Sequence, residues 1–223
     1  MRRPTAPRAE ICRRMEEIGL VPVIRAPDAK LALRGAEAVL AGGISVFEIT
    51  MTVPDALGAI AALAERLGAR AIVGAGTVLD ADTAHRCVDA GAAFIVSPGF
   101  DPATVSAAHA RDVPAMPGAL TPTEVIAAWR AGADMVKVFP ASALGGPSYL
   151  RALRGPLPDV KLMPTGGVNA ANAADYIAAG AVALGVGSEL VDTAALAAGR
   201  DEVVTERARA LVTAVRDARA RRA

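Results

Sequence analysis

The sequence predicts an α/β fold, a (β/α)8 TIM barrel with one extra helix before the first strand. Two observations support this prediction. Short apolar runs rich in β-branched residues alternate with alanine-rich helical segments along the chain of 223 residues. One strand and one helix together repeat roughly every 20 to 26 residues, which is typical of βαβ arrays. The predicted strands are VPVIRA (21–26), VFEIT (46–50), AIVGAGT (71–77), FIVSP (94–98), PAMPGA (114–119), MVKVFP (135–140), KLMPTGG (161–167) and ALGVGS (183–188).

Most helices that precede these strands are predicted to end in glycine, which readily adopts the left-handed conformation just past a helix. After the seventh strand, Asn169 is expected to cap a helix that begins near Ala170. The glycine-containing helix ends, in chain order, are LAGG (40–43), RLGA (66–69), DAGA (89–92), RAGA (130–133) and AAGA (178–181).

The strands are close to continuously apolar, so both faces of the sheet are expected to be buried, as in a parallel sheet. Eight such units in a chain of this length fit a compact barrel. A doubly wound sheet is the alternative, but it rarely needs eight evenly spaced units. Because no proline- or serine-rich linker divides the chain, residues 1–223 are interpreted as one barrel domain. Residues 5–19, approximately, are expected to form a helix that closes the barrel bottom.

Apolar residues make up 53% of the chain and charged residues 21%, the composition of a globular protein with a sizeable core. The net charge of +1 creates no field that favours nucleic acid or an anionic membrane. The amino-terminal segment lacks the apolar core of a secretory signal, and no apolar run is long enough to span a bilayer. Two cysteines without CxxC or HxxxH spacing predict neither a disulfide framework nor a metal site. A cytoplasmic protein is therefore expected.

In a barrel of this kind, the working groups lie at the carboxyl ends of the strands and in the loops that follow. These positions hold nearly all the polar residues and glycines of the predicted strands. A lysine, a glutamate, an arginine and glycine-rich loops are therefore expected to meet on one rim. The residues are Arg25, Glu48, Thr50, Gly76, Thr77, Ser97, Pro98, Lys137, Thr165, Gly166, Gly167, Gly187 and Ser188.

Lys137 stands in the apolar run ADMVKVFP (133–140), where an ammonium is difficult to solvate. One interpretation is a buried salt bridge, most simply with Glu48. The other is a Schiff-base lysine, kept neutral by burial and a neighbouring cation so that it can attack a carbonyl. Only three of the 24 basic residues are lysines, and arginine would serve a salt bridge better, so the second interpretation is favoured. Glu48 would then be the general acid and base.

Two further features have both a structural and a functional interpretation. Arg25, at the end of the first strand, is either a surface arginine or a clamp for a substrate carboxylate. The pairs Gly166–Gly167 and Gly187–Ser188 follow the last two strands, and glycine also marks ordinary turns. In barrels these two loops commonly hold phosphate through backbone N–H groups, so a phosphate site is predicted.

Eight runs of the sequence, spread over essentially the whole chain, match a known family. They are VPVIRA, GGISVFEITMTVPDA, AIVGAGTVLD, FIVSPGFD, MPGALTPTE, VKVFPASALGGPSYLRAL, MPTGGVN and GVGSELV. In this order they resemble the 2-dehydro-3-deoxy-phosphogluconate (KDPG) aldolases, which are grouped with the 4-hydroxy-2-oxoglutarate (KHG) aldolases. The resemblance implies a homotrimeric class I aldolase on a (β/α)8 barrel that uses neither a metal nor another cofactor.

By this resemblance, the Schiff-base lysine is Lys137 and the acid/base glutamate is Glu48. Some members carry an arginine four residues after the glutamate, where this chain has Thr52. Those members lack an arginine at the end of the first strand, whereas the branch that this chain resembles has one there, as Arg25. The carboxylate clamp is therefore expected to be moved rather than lost. The other family contacts fall on Thr77 of the GAGT motif, on Pro98 and Phe139 at the pyruvate end, and on Gly166, Gly167, Gly187 and Ser188 at the phosphate end.

The resemblance implies cleavage of KDPG to pyruvate and glyceraldehyde 3-phosphate, with the phosphorylated keto acid and pyruvate as small-molecule partners. The galactonate epimer and 4-hydroxy-2-oxoglutarate are alternative substrates for the same chemistry. A phosphate-binding barrel such as an epimerase or a phosphate synthase would share the glycine-rich loops without needing Lys137. A non-catalytic trimeric scaffold is a further alternative.

Overall fold

Nine short strands, all paired in parallel, curl into a ring in the computed structural model, which describes residues 6–221. The strands are β1 (Leu20–Ile24), β2 (Val46–Thr50), β3 (Ile72–Gly76), β4 (Ile95–Val96), β5 (Ala115–Met116), β6 (Gly118–Ala119), β7 (Val136–Val138), β8 (Leu162–Pro164) and β9 (Leu184–Val186). The α-helices are α1 (Arg8–Ile18), α2 (Ala29–Ala41), α3 (Ala56–Leu67), α4 (Ala81–Ala90), α5 (Pro102–His109), α6 (Pro122–Arg130), α7 (Pro147–Arg154), α8 (Ala173–Ala178), α9 (Thr193–Ala197) and α10 (Glu202–Ala220).

The ring contains eight barrel positions because β5 and β6 are two halves of one strand. One sheet has the order β5-β4-β3-β2-β1-β9 and the other the order β6-β7-β8. The two halves meet at Pro117, which has no N–H to donate to a ladder, although its carbonyl accepts the Lys137 N–H at 2.9 Å. A single bridge between Thr165 and Gly185 joins β8 to β9 and closes the ring. The predicted TIM barrel is therefore confirmed.

The helix before the first strand fills the bottom of the barrel, as the sequence predicts. It runs from Arg8 to Ile18 rather than over 5–19, and residue 5 lies outside the described residues. Ile11 and Met15 of this helix are 0% exposed and pack on inward-facing strand residues. These residues, which lie in or directly before the strands, are Val21, Val46, Ile72, Phe94, Val96, Met116, Met135 and Met163.

Asp134, just before β7, ties this helix to the barrel. Its carboxylate accepts hydrogen bonds from Arg8 Nε at 2.7 Å and from the Ala115 N–H at 2.9 Å. It also lies 3.1 Å from His109 Nε2, and only 9% of the Asp134 side chain is exposed. Because Asp134 is nearly buried, its carboxylate depends on these partners, and the cluster holds α1 against the bottom of the barrel.

Arg219 near the end of α10 makes a second connection across the same end. Its guanidinium donates to the carbonyls of Glu16 and Glu17, both at 2.6 Å, and to the carbonyl of Val182 at 3.0 Å. The first two carbonyls belong to the last turn of α1, where a cation complements the unpaired carbonyls and the dipole of the helix. Gly19, beside this guanidinium, has φ of 69°, a left-handed conformation that favours glycine.

Several predicted boundaries need correction. The strands are shorter than their apolar runs because the flanking residues belong to loops, although β2 has the predicted bounds 46–50. The helix after β8 begins at Ala173 and not near Ala170. The Asn169 side chain does accept hydrogen bonds, from the N–H groups of Ala171 and Asn172 at 3.0 and 3.2 Å, but it closes a turn that comes before the helix.

Between residues 6 and 221, no helix is long and apolar enough to cross a bilayer. The same residues contain no group of three or more His, Cys, Asp or Glu side chains placed to hold a metal ion. The single-domain assignment of residues 1–223 stays a prediction, and residues 1–5 and 222–223 lie outside the described part of the chain.

Candidate active site

A cavity of about 620 Å³ opens at the carboxyl ends of the strands. Nine of the ten predicted site residues line it, and Glu48 is the exception because it is buried deeper in the barrel. The lining residues are Val23, Arg25, Ala26, Pro27, Thr77, Pro98, Lys137, Phe139, Thr165, Gly166, Gly167, Val168, Gly187, Ser188, Glu189, Val191 and Thr193.

Lys137 reaches this cavity from the middle of β7. Its neighbours Val136 and Val138 pack into the outer apolar layer under the helices, so the lysine side chain points into the barrel. Lys137 is only 5% exposed, and its Nζ lies 5.1 Å from the centroid of the Phe139 ring. Among the described residues its ammonium makes no ion pair, so the salt bridge to Glu48 that the sequence left open is not formed.

Glu48 lies on β2 with 1% of its surface exposed. Neither carboxylate oxygen has a hydrogen-bond donor among the described residues. Gly76 of β3 makes room for this carboxylate, because a Cβ at Gly76 would lie 2.3 Å from Glu48 Oε1. Burial raises the pKa of Glu48, and the positive charges of Lys137 and Arg25 act in the opposite direction. An almost dry carboxyl group whose pKa is raised by burial is suited to proton transfer.

Arg25 and Thr77 stand on the rim of the same cavity. Arg25 follows β1, is exposed, and has no hydrogen-bond or ion-pair partner among residues 6–221, so its guanidinium is free to bind an anion. Thr77 follows β3 with φ of 60°, an uncommon conformation for a threonine that is often found at functional sites. Thr52 is exposed and its hydroxyl lies 2.8 Å from the hydroxyl of Thr50, so the position offers no cation.

The loops after β8 and β9 form another part of the cavity wall, on the strands that follow β1 around the ring. Gly166 and Gly167 have φ of 93° and 75°, and a Cβ on Gly167 would lie 2.5 Å from the Ser142 Cβ, so glycine is required there. Within the described chain, the backbone N–H groups of Gly167, Val168, Ser188 and Glu189 donate no hydrogen bond. Backbone N–H groups without an acceptor in a cavity wall are suited to binding an anion such as phosphate.

Sequence reasoning missed several residues that line this cavity. Thr165 was recognised as a strand-end residue, but it was not assigned to the site, although it is 5% exposed at the cavity wall. Val23 shares the inward parity of Arg25, so the period-2 pattern of β1 could have found it. Val191 comes shortly before α9 and Thr193 is the first residue of α9, and this stretch carries no strand-end pattern or glycine signal.

Comparisons with known proteins agree with one another. The family described as "KDPG and KHG aldolase" matches residues 11–206. The 2-dehydro-3-deoxy-phosphogluconate aldolase of Treponema pallidum is 38% identical over 191 residues, which cover 86% of this chain and 90% of that protein. The KHG/KDPG aldolase of Escherichia coli K12 is 39% identical over 193 residues, with coverages of 86% and 90%.

Solved structures also resemble this chain. KDPG aldolase from Legionella pneumophila, with pyruvate captured as a covalent carbinolamine intermediate, is 34% identical with a TM-score of 0.80, over 86% of this chain and 93% of that one. A chain of a cube-shaped protein cage, designed by fusing symmetric oligomeric domains, is 31% identical with a TM-score of 0.84. That match covers 92% of this chain and 74% of the cage chain.

The raised pKa of Glu48 predicts a pH-dependent difference in stability between the wild type and a Glu48→Gln variant. The ordinary pKa of a glutamate is 4.5 and that of native Glu48 is higher. Above pH 4.5, Glu48 therefore holds its proton more often in the folded protein than in the unfolded chain. The stability of the wild type relative to the variant should therefore fall as the pH rises above 4.5, and level off beyond the native pKa. Urea unfolding of both proteins across this pH range measures the difference.

Glu206→Gln is the matched control, because Glu206 is exposed on α10. Its stability difference from the wild type should not show this fall. A Glu48→Gln difference that stays constant with pH, or that rises, would contradict the buried, proton-holding state of Glu48.

Proposed function

The chain belongs to the KDPG and KHG aldolase family and is an aldolase, a lyase of carbon–carbon bonds, and we propose that it cleaves 2-dehydro-3-deoxy-6-phosphogluconate to pyruvate and glyceraldehyde 3-phosphate. One observation carries the assignment of roles. Lys137 is buried at the cavity wall without an ion pair, in a barrel whose Glu48 carboxylate also lacks a partner. Such a pair suits imine chemistry, because a free amine and a mobile proton are both needed.

The first half of the proposed reaction forms the imine. The neutral amine of Lys137 attacks the C2 ketone of the substrate and gives a carbinolamine. Glu48 delivers a proton to the departing hydroxyl, which leaves as water, and a protonated imine remains. The positive nitrogen then withdraws electrons from the neighbouring carbon, as in other Schiff-base enzymes.

The second half breaks the carbon–carbon bond. Glu48, directly or through a water, takes the proton of the C4 hydroxyl, and the C3–C4 electron pair moves to form an enamine. Glyceraldehyde 3-phosphate leaves, the enamine takes a proton at C3, and water hydrolyses the imine to pyruvate and free Lys137. Burial raises the pKa of Glu48, so the same carboxyl group can give and take the proton.

Binding at both ends of the cavity would orient the bond that breaks. In this proposal Arg25 and Thr77 hold the carboxylate of the substrate, and Pro98 and Phe139 enclose the pyruvate part. Gly166, Gly167, Gly187 and Ser188 hold the phosphate at the other end. Holding a substrate at two separated points accounts for a large share of the rate gain in such reactions.

A second substrate is favoured by the family itself. The similar Escherichia coli protein is a KHG/KDPG aldolase, so 4-hydroxy-2-oxoglutarate is the alternative substrate that we propose to test first. Its cleavage needs the same imine at Lys137, and it differs at the end of the cavity lined by the β8 and β9 loops. Turnover of a panel of phosphorylated and unphosphorylated keto acids, ranked by kcat/KM, distinguishes the two.

The proposed assembly is a homotrimer located in the cytoplasm. The family resemblance supports it, as does the use of a similar chain as a symmetric oligomeric domain in a designed cage. Sedimentation equilibrium should then give three times the chain mass of 22.6 kDa. A species at the single-chain mass at micromolar concentration would contradict the trimer.

Reduction with borohydride in the presence of pyruvate tests the Schiff base. Because reduction turns an imine into a stable secondary amine, the wild-type protein should gain the mass of one reduced pyruvate, located on Lys137 by peptide mass spectrometry. Lys137→Arg should abolish the adduct and lower kcat at least a thousandfold, since arginine cannot form this imine. An adduct absent from folded wild-type protein would falsify the proposed function.

Lys30→Arg is the matched control for this experiment. Lys30 is exposed on α2, and it is one of three lysines in the chain. The control should keep both the adduct and the activity. An adduct found on Lys30 in place of Lys137 would contradict the role given to Lys137.

Arg25→Ala tests the carboxylate clamp. A hydrogen-bonded pair of guanidinium and carboxylate contributes about 1.5–3 kcal/mol, so the KM for the keto acid should rise roughly 10- to 100-fold. The pyruvate concentration needed for half-maximal trapping should rise with it. Arg86→Ala, at an exposed arginine of α4, is the control and should leave both values unchanged. Wild-type kinetics for Arg25→Ala would remove this arginine from the site.

A further inference from the structure

Asn172 contacts the loop after β8 without lining the cavity. Its side-chain Nδ2 donates a hydrogen bond to the carbonyl of Gly167 at 2.8 Å. Gly167 and the next residue, Val168, both line the cavity, and Asn172 does not. The side chain of Asn172 therefore acts on the cavity wall from behind.

Because the peptide bond is planar, this contact also fixes the orientation of the Val168 N–H, in the same peptide group as the Gly167 carbonyl. In a trans peptide, the carbonyl of one residue and the N–H of the next point in opposite directions. Asn172, which does not line the cavity, holds the Gly167 carbonyl, so the Val168 N–H points to the opposite side of this peptide. That N–H donates no hydrogen bond to any residue between 6 and 221. The neighbouring Gly166 carbonyl is held in a similar manner, by the Ser142 N–H at 3.2 Å.

The side chain of Asn172 hydrogen-bonds to this loop and does not cap its own helix. Asn172 is the N-cap of α8, a position where asparagine usually accepts a hydrogen bond from the first turn. Here it makes no such bond. Its Oδ1 instead accepts the Asn169 N–H at 2.9 Å, which fixes the orientation of the amide so that Nδ2 faces Gly167.

We propose that Asn172 is a positioning residue that aims the Val168 N–H at an anion in the cavity. The anion is the phosphate of the substrate, and in this respect the inference rests on the proposed function. Asn172 touches neither the phosphate nor the reacting carbons and acts through one peptide group. Its contribution is specific to the phosphate site, because Lys137 lies on β7 and Arg25 follows β1, away from the loop after β8.

Two substrates that differ only in the phosphate test the proposal. In Asn172→Ala the Gly167 carbonyl loses its donor, so the KM for 2-dehydro-3-deoxy-6-phosphogluconate should rise about tenfold, or about 1.4 kcal/mol. The kcat/KM for unphosphorylated 2-dehydro-3-deoxygluconate and the borohydride adduct with pyruvate should stay within twofold of the wild type. Asn172→Ser, which keeps a good N-cap residue but has a side chain one bond shorter, should behave in the same way.

Ser148→Ala is the matched control for this series. The Ser148 hydroxyl also donates to a glycine carbonyl, that of Gly145 at 2.9 Å, in the neighbouring loop before α7, and Ser148 does not line the cavity. The control should leave both substrates unaffected. Binding of inorganic phosphate, measured by calorimetry, adds a readout that needs no turnover and should weaken about tenfold in Asn172→Ala only.

Two results would overturn the proposal. In one, Asn172→Ala keeps wild-type phosphate binding and a wild-type preference for the phosphorylated substrate. In the other, it loses both substrates and the pyruvate adduct to the same extent, which would make Asn172 a general stabiliser of the fold. Failure of the proposed function would be seen separately, as a wild-type protein that forms no adduct with pyruvate while it still binds phosphate.

Discussion

The burial of two ionisable side chains inside one ring of strands is the constraint that the rest of the structure accommodates. Glu48 and Lys137 are 1% and 5% exposed, and the Glu48 oxygens have no donor among the described residues. Taking such groups out of water costs several kcal/mol each. The barrel accommodates Glu48 because Gly76 leaves room for its carboxylate. Below these side chains, an apolar layer closed by α1 supports the strands. The packed apolar layer under the strands therefore helps to hold Glu48 and Lys137 in place above it.

Much of this arrangement could be predicted because it is encoded locally. Strand parity and the alternation of strands with helices are short-range patterns, and in a parallel barrel all strand ends meet on one rim. For this reason Arg25, Lys137 and Ser188 could be assigned to one cavity before their positions were known. The bounds of the strand that carries Glu48 were also predicted, since VFEIT coincides with β2, but Glu48 lies deeper in the barrel than the rim on which it was expected.

Other features depend on contacts between distant parts of the chain, which sequence patterns do not encode. Asp134 is 126 residues from Arg8 and 25 from His109, and no motif links them. The break between β5 and β6, by contrast, follows from the missing N–H of Pro117, a local signal inside PAMPGA, which was predicted as one strand. Whether Lys137 and Glu48 form an ion pair depends on side-chain positions to within about an ångström, because ionic hydrogen bonds require close approach.

The position of Lys137 in a barrel that is closed at its lower end bears on the order in which products leave. Ile11 and Met15 pack under the strands, so the barrel is filled below and the cavity lies at the carboxyl ends of the strands. For the proposed reaction, the aldehyde is not covalently bound, whereas the keto acid fragment remains attached to the buried Lys137. Product departure is then sequential, with the phosphorylated fragment first and pyruvate last. In the reverse, bond-forming direction the same covalent attachment requires pyruvate to bind first.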